Sequence, residues 1–286
     1  LFTDAAGTTS MGLSTAEIME ISLDLVGWDE VPADSGIHVP GEELETALVG
    51  IDLESPEIQL AEREGYDLVL AHHPPGGDPR VNFAPVLDKQ VEFMTAHGVP
   101  EERAEAAASG IISGMEHAGH SANYRHDPSV AEHLDIPYMN VHLAPDELGR
   151  RRFREVADDL DDANVGEFAD ALGEIPEIDE AITDVELRVG ERENDLGEVA
   201  IHHAAGTNGG SDVASAYFDN GVDTVLYIHV GAGDTAELQA EYGGEGKNLV
   251  VTGHIASDAI GMNEFIDALE AEGLDCDTIS GCGIGR

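Results

Sequence analysis

The sequence predicts an α/β fold of two lobes, with mostly parallel sheets flanked by helices, and three observations predict it. Short apolar runs next to glycine, such as Leu68-Val69-Leu70-Ala71 after Gly65 and Leu249-Val250-Val251 before Gly253, have the length and continuity of strands covered on both faces. These runs alternate with stretches of helical periodicity, the arrangement of βαβ units in which neighbouring strands run parallel. The plan also recurs: Gly65-Tyr66-Asp67-Leu68-Val69-Leu70-Ala71-His72 is echoed by Gly221-Val222-Asp223-Thr224-Val225-Leu226-Tyr227-Ile228-His229, so two similar lobes are expected. Residues 11–149 are assigned to the first lobe, 150–195 to a helical connecting segment and 196–286 to the second lobe. Residues 1–10 lack periodicity and are set aside as an upstream extension.

The first helix is signalled by Ser14-Thr15-Ala16-Glu17, a capping box, followed by Ile18, Ile21 and Leu25 at helical spacing up to Gly27. After a connection containing proline, residues 46–53 read as a strand, and Ser55 caps a helix from Pro56 to Glu64. That helix leads into the apolar run at 68–71, which stops at His72-His73-Pro74-Pro75-Gly76-Gly77. Helices are expected at 85–97 and 101–117, and again at 128–134 with Asp127 as N-cap. His117, His120 and His126 fall in a polar, loop-like stretch after no strand, where metal binding is one reading and ordinary loop residues the preferred one. Another strand covers 137–143. A strand pair is expected at 186–190 and 198–203. The loop Gly206-Thr207-Asn208-Gly209-Gly210-Ser211 opens a helix through Phe218, and it lacks the lysine of a phosphate-binding Walker loop. The final unit is a strand at 248–254 and a helix at 255–272, with Ile255, Ala259, Met262, Ile266 and Leu269 on one face.

Against 13 Lys and Arg stand 59 Asp and Glu, a formal net charge of -46. The acids are interleaved with regular apolar periodicity, so this is a folded surface and not a disordered tail. Concentrated salt would screen such self-repulsion over a few ångströms, and a halophilic source is inferred. Binding to a nucleic-acid backbone is argued against, because it depends on basic contacts. No apolar run approaches the length of a membrane span and no signal-peptide pattern is visible, so a cytoplasmic protein is expected, without a membrane partner. Cys276 and Cys282 are too few and too close for a disulfide framework.

Chemistry gathers where strands end. His72 and His73 follow one strand, His142 and then Asp146 follow a second, and His254 and then Asp258 follow a third. In open α/β sheets the carboxyl ends of strands are where ligands bind. A histidine and a carboxylate four apart at a helix start share a face and can grip one ion. Several histidines with two carboxylates suit Zn, Mn or Fe and are too rich in nitrogen for Ca or Mg. His142, His202, His203 and His229 are further candidates to line or support the same site.

These motifs resemble the Nif-three-like family, also described as GTP cyclohydrolase I type 2 homologues. The resemblance covers most of the chain and rests on three motifs. They are an apolar strand ending in His-His-Pro, a central His-Thr-Asn-x-Asp, and a strand ending in Gly-His-x-x-x-Glu. Members bind two divalent metals per subunit, and a two-lobed α/β subunit assembles into toroidal hexamers. By position, the resemblance implies that His72, His73, Asp146, His254 and Asp258 are the metal ligands. Two departures are visible. His142-Leu143-Ala144-Pro145-Asp146 keeps the histidine and aspartate but not Thr-Asn, and Asp258 stands where the family has glutamate. The implied function is a metal-dependent hydrolase acting on a small molecule with a nucleotide, phosphoester or amide-like bond, in a homo-oligomer. The alternative is a metal-handling or scaffold protein without turnover.

Overall fold

The computed structural model describes residues 12–160 and 162–286. The expected extension at 1–10 lies outside the described residues. In chain order the elements are α1 (Thr15–Val26), β1 (Gly36–Val39), β2 (Thr46–Gly50), α2 (Ser55–Glu64), β3 (Leu68–Ala71), α3 (Gly77–Val81), α4 (Asp88–Ala96), α5 (Glu101–Ser121), α6 (His126–Leu134) and β4 (Tyr138–Asn140). Then follow α7 (Leu143–Asp158), α8 (Val165–Gly173), α9 (Pro176–Asp179), β5 (Glu186–Val189), β6 (Val199–Ile201), α10 (Gly210–Asp219), β7 (Thr224–Tyr227), α11 (Ala232–Tyr242), β8 (Asn248–Val251), α12 (His254–Ala271) and β9 (Asp275–Ile279).

Two mixed sheets, mostly parallel, carry the fold: one runs β1-β4-β3-β2-β9 and the other β5-β8-β7-β6. Each begins with an antiparallel edge strand, β1 on β4 and β5 on β8, and each of these pairings has a register shift. The remaining pairs are parallel. The sequence echo therefore marks equivalent places: β3 and β7 are interior strands in corresponding positions. Its Gly-x-Asp also has a structural reason. Asp67 Oδ2 accepts the Thr46 N–H at 3.0 Å at the start of β2, and Asp223 Oδ2 accepts the Glu198 N–H at 3.0 Å just before β6. Each aspartate thus fixes the entry of the neighbouring strand.

The capping box at Ser14 and Glu17 forms as expected. At α2 the cap is Glu54, paired reciprocally with Glu57, and Ser55 is already helical. Asp127 likewise is not a cap but lies in the first turn of α6, where its Oδ1 accepts the Ser55 Oγ–H at 2.6 Å and the Ser55 N–H at 2.9 Å. The expected strand pair at 186–190 and 198–203 does not pair: β5 bonds β8 while β6 bonds β7, each finding its partner across the sheet. The last strand, β9, bonds β2 in the first sheet, although the sequence had placed it with 196–286. Its neighbour α12 buries Ala259, Met262, Ile266 and Leu269, while Ile255 is exposed.

The two halves also meet at a helix crossing. α7 and α12 start directly after β4 and β8 and cross so closely that a Cβ on Gly261 would stand 1.8 Å from the Pro145 carbonyl oxygen. Glycine is required there because only a missing side chain lets the two backbones meet. Cys276 and Cys282 are free thiols buried in the core. Among the described residues, no helix is long and apolar enough to cross a membrane.

Candidate metal centre

The crossing of α7 and α12 brings two matching helix starts together. His142 and Asp146 sit four apart at the start of α7, and His254 and Asp258 do so at the start of α12. β3 ends beside them and delivers His72 and His73. All five residues expected from the sequence meet at one place. His72 Nε2 lies 3.2 Å from Asp146 Oδ1 and 4.0 Å from Asp258 Oδ2. His73 Nε2 lies 3.3 Å and His254 Nε2 3.2 Å from that same Asp258 oxygen. The ligand-type atoms fall into overlapping groups, His72 with Asp146 and Asp258, and His73 with His254 and Asp258, while His142 comes within reach of His72 and His73. Asp258, one methylene shorter than glutamate, still reaches these nitrogens because the close helix crossing brings its backbone near.

Three of the rings, those of His72, His73 and His142, are aimed by a partner on the other nitrogen, the arrangement that raises the basicity of ligating imidazoles. His72 Nδ1 is 3.0 Å from the Val141 carbonyl, His73 Nδ1 is 2.7 Å from Asp52 Oδ1, and His142 Nδ1 is 2.7 Å from Asp34 Oδ2. Ser35 Oγ also accepts the His142 N–H at 2.9 Å. Asp34 and Ser35 thus give polar support beside the motif that lacks Thr-Asn. Sequence reasoning missed Asp34 and Asp52. Asp52 could have been found, since it follows the apolar strand β2 at its carboxyl end, whereas Asp34 lies in an irregular connection and carries no local signal.

The remaining histidines divide. His203 Nε2 lies 3.9 Å from Asp146 Oδ1, and His229 stands beside His254 with the ring centroids 4.6 Å apart. His202 lines the same cavity, with its Nδ1 3.1 Å from the Tyr217 hydroxyl. His117 and His120 lie on α5 and are exposed, and His126 reaches only the cavity rim.

Electrostatics follow from burial and crowding. Burial would raise the pKa of Asp146, but His142, His203 and His72 outweigh it and hold its carboxyl well below the usual range. Asp258 is lowered in the same way: burial opposes ionisation, and the contact with His73 and the charges of His72 and His254 overcome it. Burial disfavours charge on His73, yet its contacts with Asp258 and Asp52 push its pKa up to about 10. His202, surrounded by apolar groups and near Arg150, is pushed down to about 3, and His229, by burial and His254, to about 4. His72 Nε2, His203 Nε2, Asp146 Oδ1 and Asp258 Oδ2 are buried and have no hydrogen-bond partner. Such a set of nitrogen and carboxylate donors fits a divalent transition-metal ion. Above it opens a cavity of about 600 Å³ whose wall includes Phe83, Asn208, His229 and Arg80. Arg80 is the only arginine or lysine among the described residues that lines it.

Fold and site define a class: a two-sheet α/β protein whose halves meet around a histidine and carboxylate cluster able to hold a metal ion. The chain belongs to the NIF3 superfamily. It is 44% identical to a NIF3 superfamily protein from Sphaerobacter thermophilus, over 95% of this chain and 99% of that chain, with a TM-score of 0.91. Two more distant structures share the fold. HcgD from Methanocaldococcus jannaschii is 14% identical over 93% of this chain and 98% of its own, with a TM-score of 0.57. TTHA1606 from Thermus thermophilus is 15% identical over 94% and 98%, with a TM-score of 0.53. No family profile and no curated protein matches the chain.

Proposed function

We propose that the protein binds two divalent ions, Zn, Mn or Fe, where its halves meet, and hydrolyses a nucleotide, phosphoester or amide-like bond of a small molecule there. The observation that carries this reading is the group of buried atoms without hydrogen-bond partners at the cavity floor, His72 Nε2, His203 Nε2, Asp146 Oδ1 and Asp258 Oδ2. Each such group left unpaired costs roughly 1–3 kcal/mol, and a cation satisfies them together. In this reading His72, Asp146 and Asp258 hold an inner ion, and His73, His254 and Asp258 an outer one. Bound ions of this kind lower the pKa of water and polarise a substrate oxygen.

The chain's own residues supply the rest. Asp52 and the Val141 carbonyl fix the rings of His73 and His72, and Asp34 fixes the neighbouring His142. Arg80 offers the cavity a fixed positive charge, which suits a substrate carrying phosphate or carboxylate. Phe83 and Ile228 line the walls and limit water around the bound molecule.

Metal analysis of protein purified without chelator, joined to a panel of nucleotide, phosphoester and amide substrates, tests the proposal. Two ions per chain are expected, with turnover that a chelator abolishes and the ion restores. A stoichiometry near zero, with no uptake of added Zn, Mn or Fe, refutes it. The metal-handling reading has one observation in its favour, the His254 side chain, which is 41% exposed and leaves the outer position open to exchange. Ion transfer to a chelating acceptor, without turnover of any substrate in the panel, would favour that reading.

A further inference from the structure

We propose that His229 is locked as a hydrogen-bond donor to an oxyanion of the substrate, while His72, His73 and His142 are held in the opposite tautomer. This deepens the metal-dependent reading and rests on it. Which ring nitrogen carries the proton is set by the partner of the other nitrogen. At His72, His73 and His142 the partners of Nδ1 are the Val141 carbonyl, Asp52 and Asp34, all acceptors. In the neutral ring each Nδ1 therefore donates, which leaves the lone pair on Nε2, on the side of Asp146 and Asp258.

His229 is held the other way round. Its Nδ1 lies 2.8 Å from Asn208 Nδ2. The Asn208 amide has one orientation, because its Oδ1 accepts the Gly210 N–H at 2.9 Å. An amide nitrogen only donates, so His229 Nδ1 accepts, and the ring's single proton sits on Nε2. An N–H at that position cannot coordinate a cation. It can donate to an oxygen that is negative or becomes so during reaction, such as that of a phosphoryl or carboxyl group, beside the ions that bind the same group. The glycine-rich stretch before α10 thus has a use: it presents Asn208, which fixes the His229 tautomer.

Two measurements on the full chain test this. In ¹⁵N-labelled protein, His229 should show the tautomer protonated at Nε2, and Asn208→Leu, which removes the donor to Nδ1 at nearly the same volume, should release the ring to a mixture of tautomers. In the zinc-loaded protein, titrated calorimetrically with inorganic phosphate, His229→Phe should bind phosphate roughly tenfold or more weakly at unchanged zinc content, the loss expected for one hydrogen bond to a charged group. His229→Gln, whose amide nitrogen falls near the position of Nε2, should recover part of that loss. Asn208→Leu, nearly isosteric and without a donor for Nδ1, should weaken phosphate binding at unchanged zinc content. Protonation at Nδ1 in the wild type overturns the inference, as does zinc-loaded wild type that binds no phosphate. Unchanged phosphate affinity in His229→Phe also overturns it. A chain that takes up no zinc is a separate outcome, read by metal analysis, and it refutes the metal reading together with the inference.

Discussion

Replacing Asp258 with alanine should remove the outer ion and leave the fold standing. One oxygen, Asp258 Oδ2, lies 3.2 Å from His254 Nε2, 3.3 Å from His73 Nε2 and 4.0 Å from His72 Nε2, so it serves both ligand groups. Without it the outer ion keeps two nitrogens and no carboxylate. Removing a group that only supports a ligand weakens metal binding roughly 10–100-fold, so losing the shared ligand should weaken it by about 100-fold or more. At an ion concentration about 100 times the wild-type Kd, the outer ion stabilises the folded chain by about 2.7 kcal/mol, and a 100-fold weaker site leaves about 0.4 kcal/mol. The difference, about 2.3 kcal/mol, corresponds to roughly 5 °C of the metal-induced rise in melting temperature. Calorimetric scans of loaded and chelated protein, with metal content measured on the same samples, read both quantities. Glu264→Ala is the control, since Glu264 is exposed on α12 six residues beyond Asp258. The reasoning is refuted if Asp258→Ala keeps two ions and the full metal-induced rise, or if Glu264→Ala loses them. If His254→Ala alone removes metal, the carboxylate assigned to this site is the wrong one.

Gly261→Ala should be strongly destabilising, by about 3 kcal/mol or more, since its Cβ would fall 1.8 Å from the Pro145 carbonyl and part α7 from α12. It should also lower metal affinity, because the two helix starts carry the ligands, and a melting temperature equal to wild type would contradict this. In acid, the chelated protein should lose stability as the pH falls below about 6.5. His202 at about 3 and His229 at about 4 stay neutral in the fold while the unfolded chain takes up protons, which a denaturant series at fixed salt will show as a falling midpoint. Both thiols, pushed up to about 12 by burial, should resist alkylation at pH 8 until the chain is unfolded; rapid labelling of the native protein would count against the buried core around β9. Dialysis to low salt should unfold the chain, whose formal charge of -46 is then poorly screened, and an unchanged circular dichroism signal would remove the case for a halophilic origin.

Local grammar, and the chemistry at its joints, could be read from the chain of residues. Apolar runs at 68–71, 225–227 and 249–251 became strands because side chains buried on both faces leave no polar alternation to read otherwise. The histidines and aspartates were legible because they stand just after the strands β3, β4 and β8, with His142 and Asp146, and His254 and Asp258, at helix-compatible spacing. Pairing was not legible. β9 joins β2, two stretches more than 200 residues apart, and nothing in either names the other, since ladder hydrogen bonds are made by backbone groups common to all residues. The same holds for Asp34 and Asn208, polar residues in connections whose roles exist only once a histidine from a distant strand is brought beside them. Tertiary structure alone decided that the two His-x-x-x-Asp helix starts face each other, because that depends on the contact between Gly261 and Pro145, where the absence of a side chain on one helix is meaningful only against the backbone of the other.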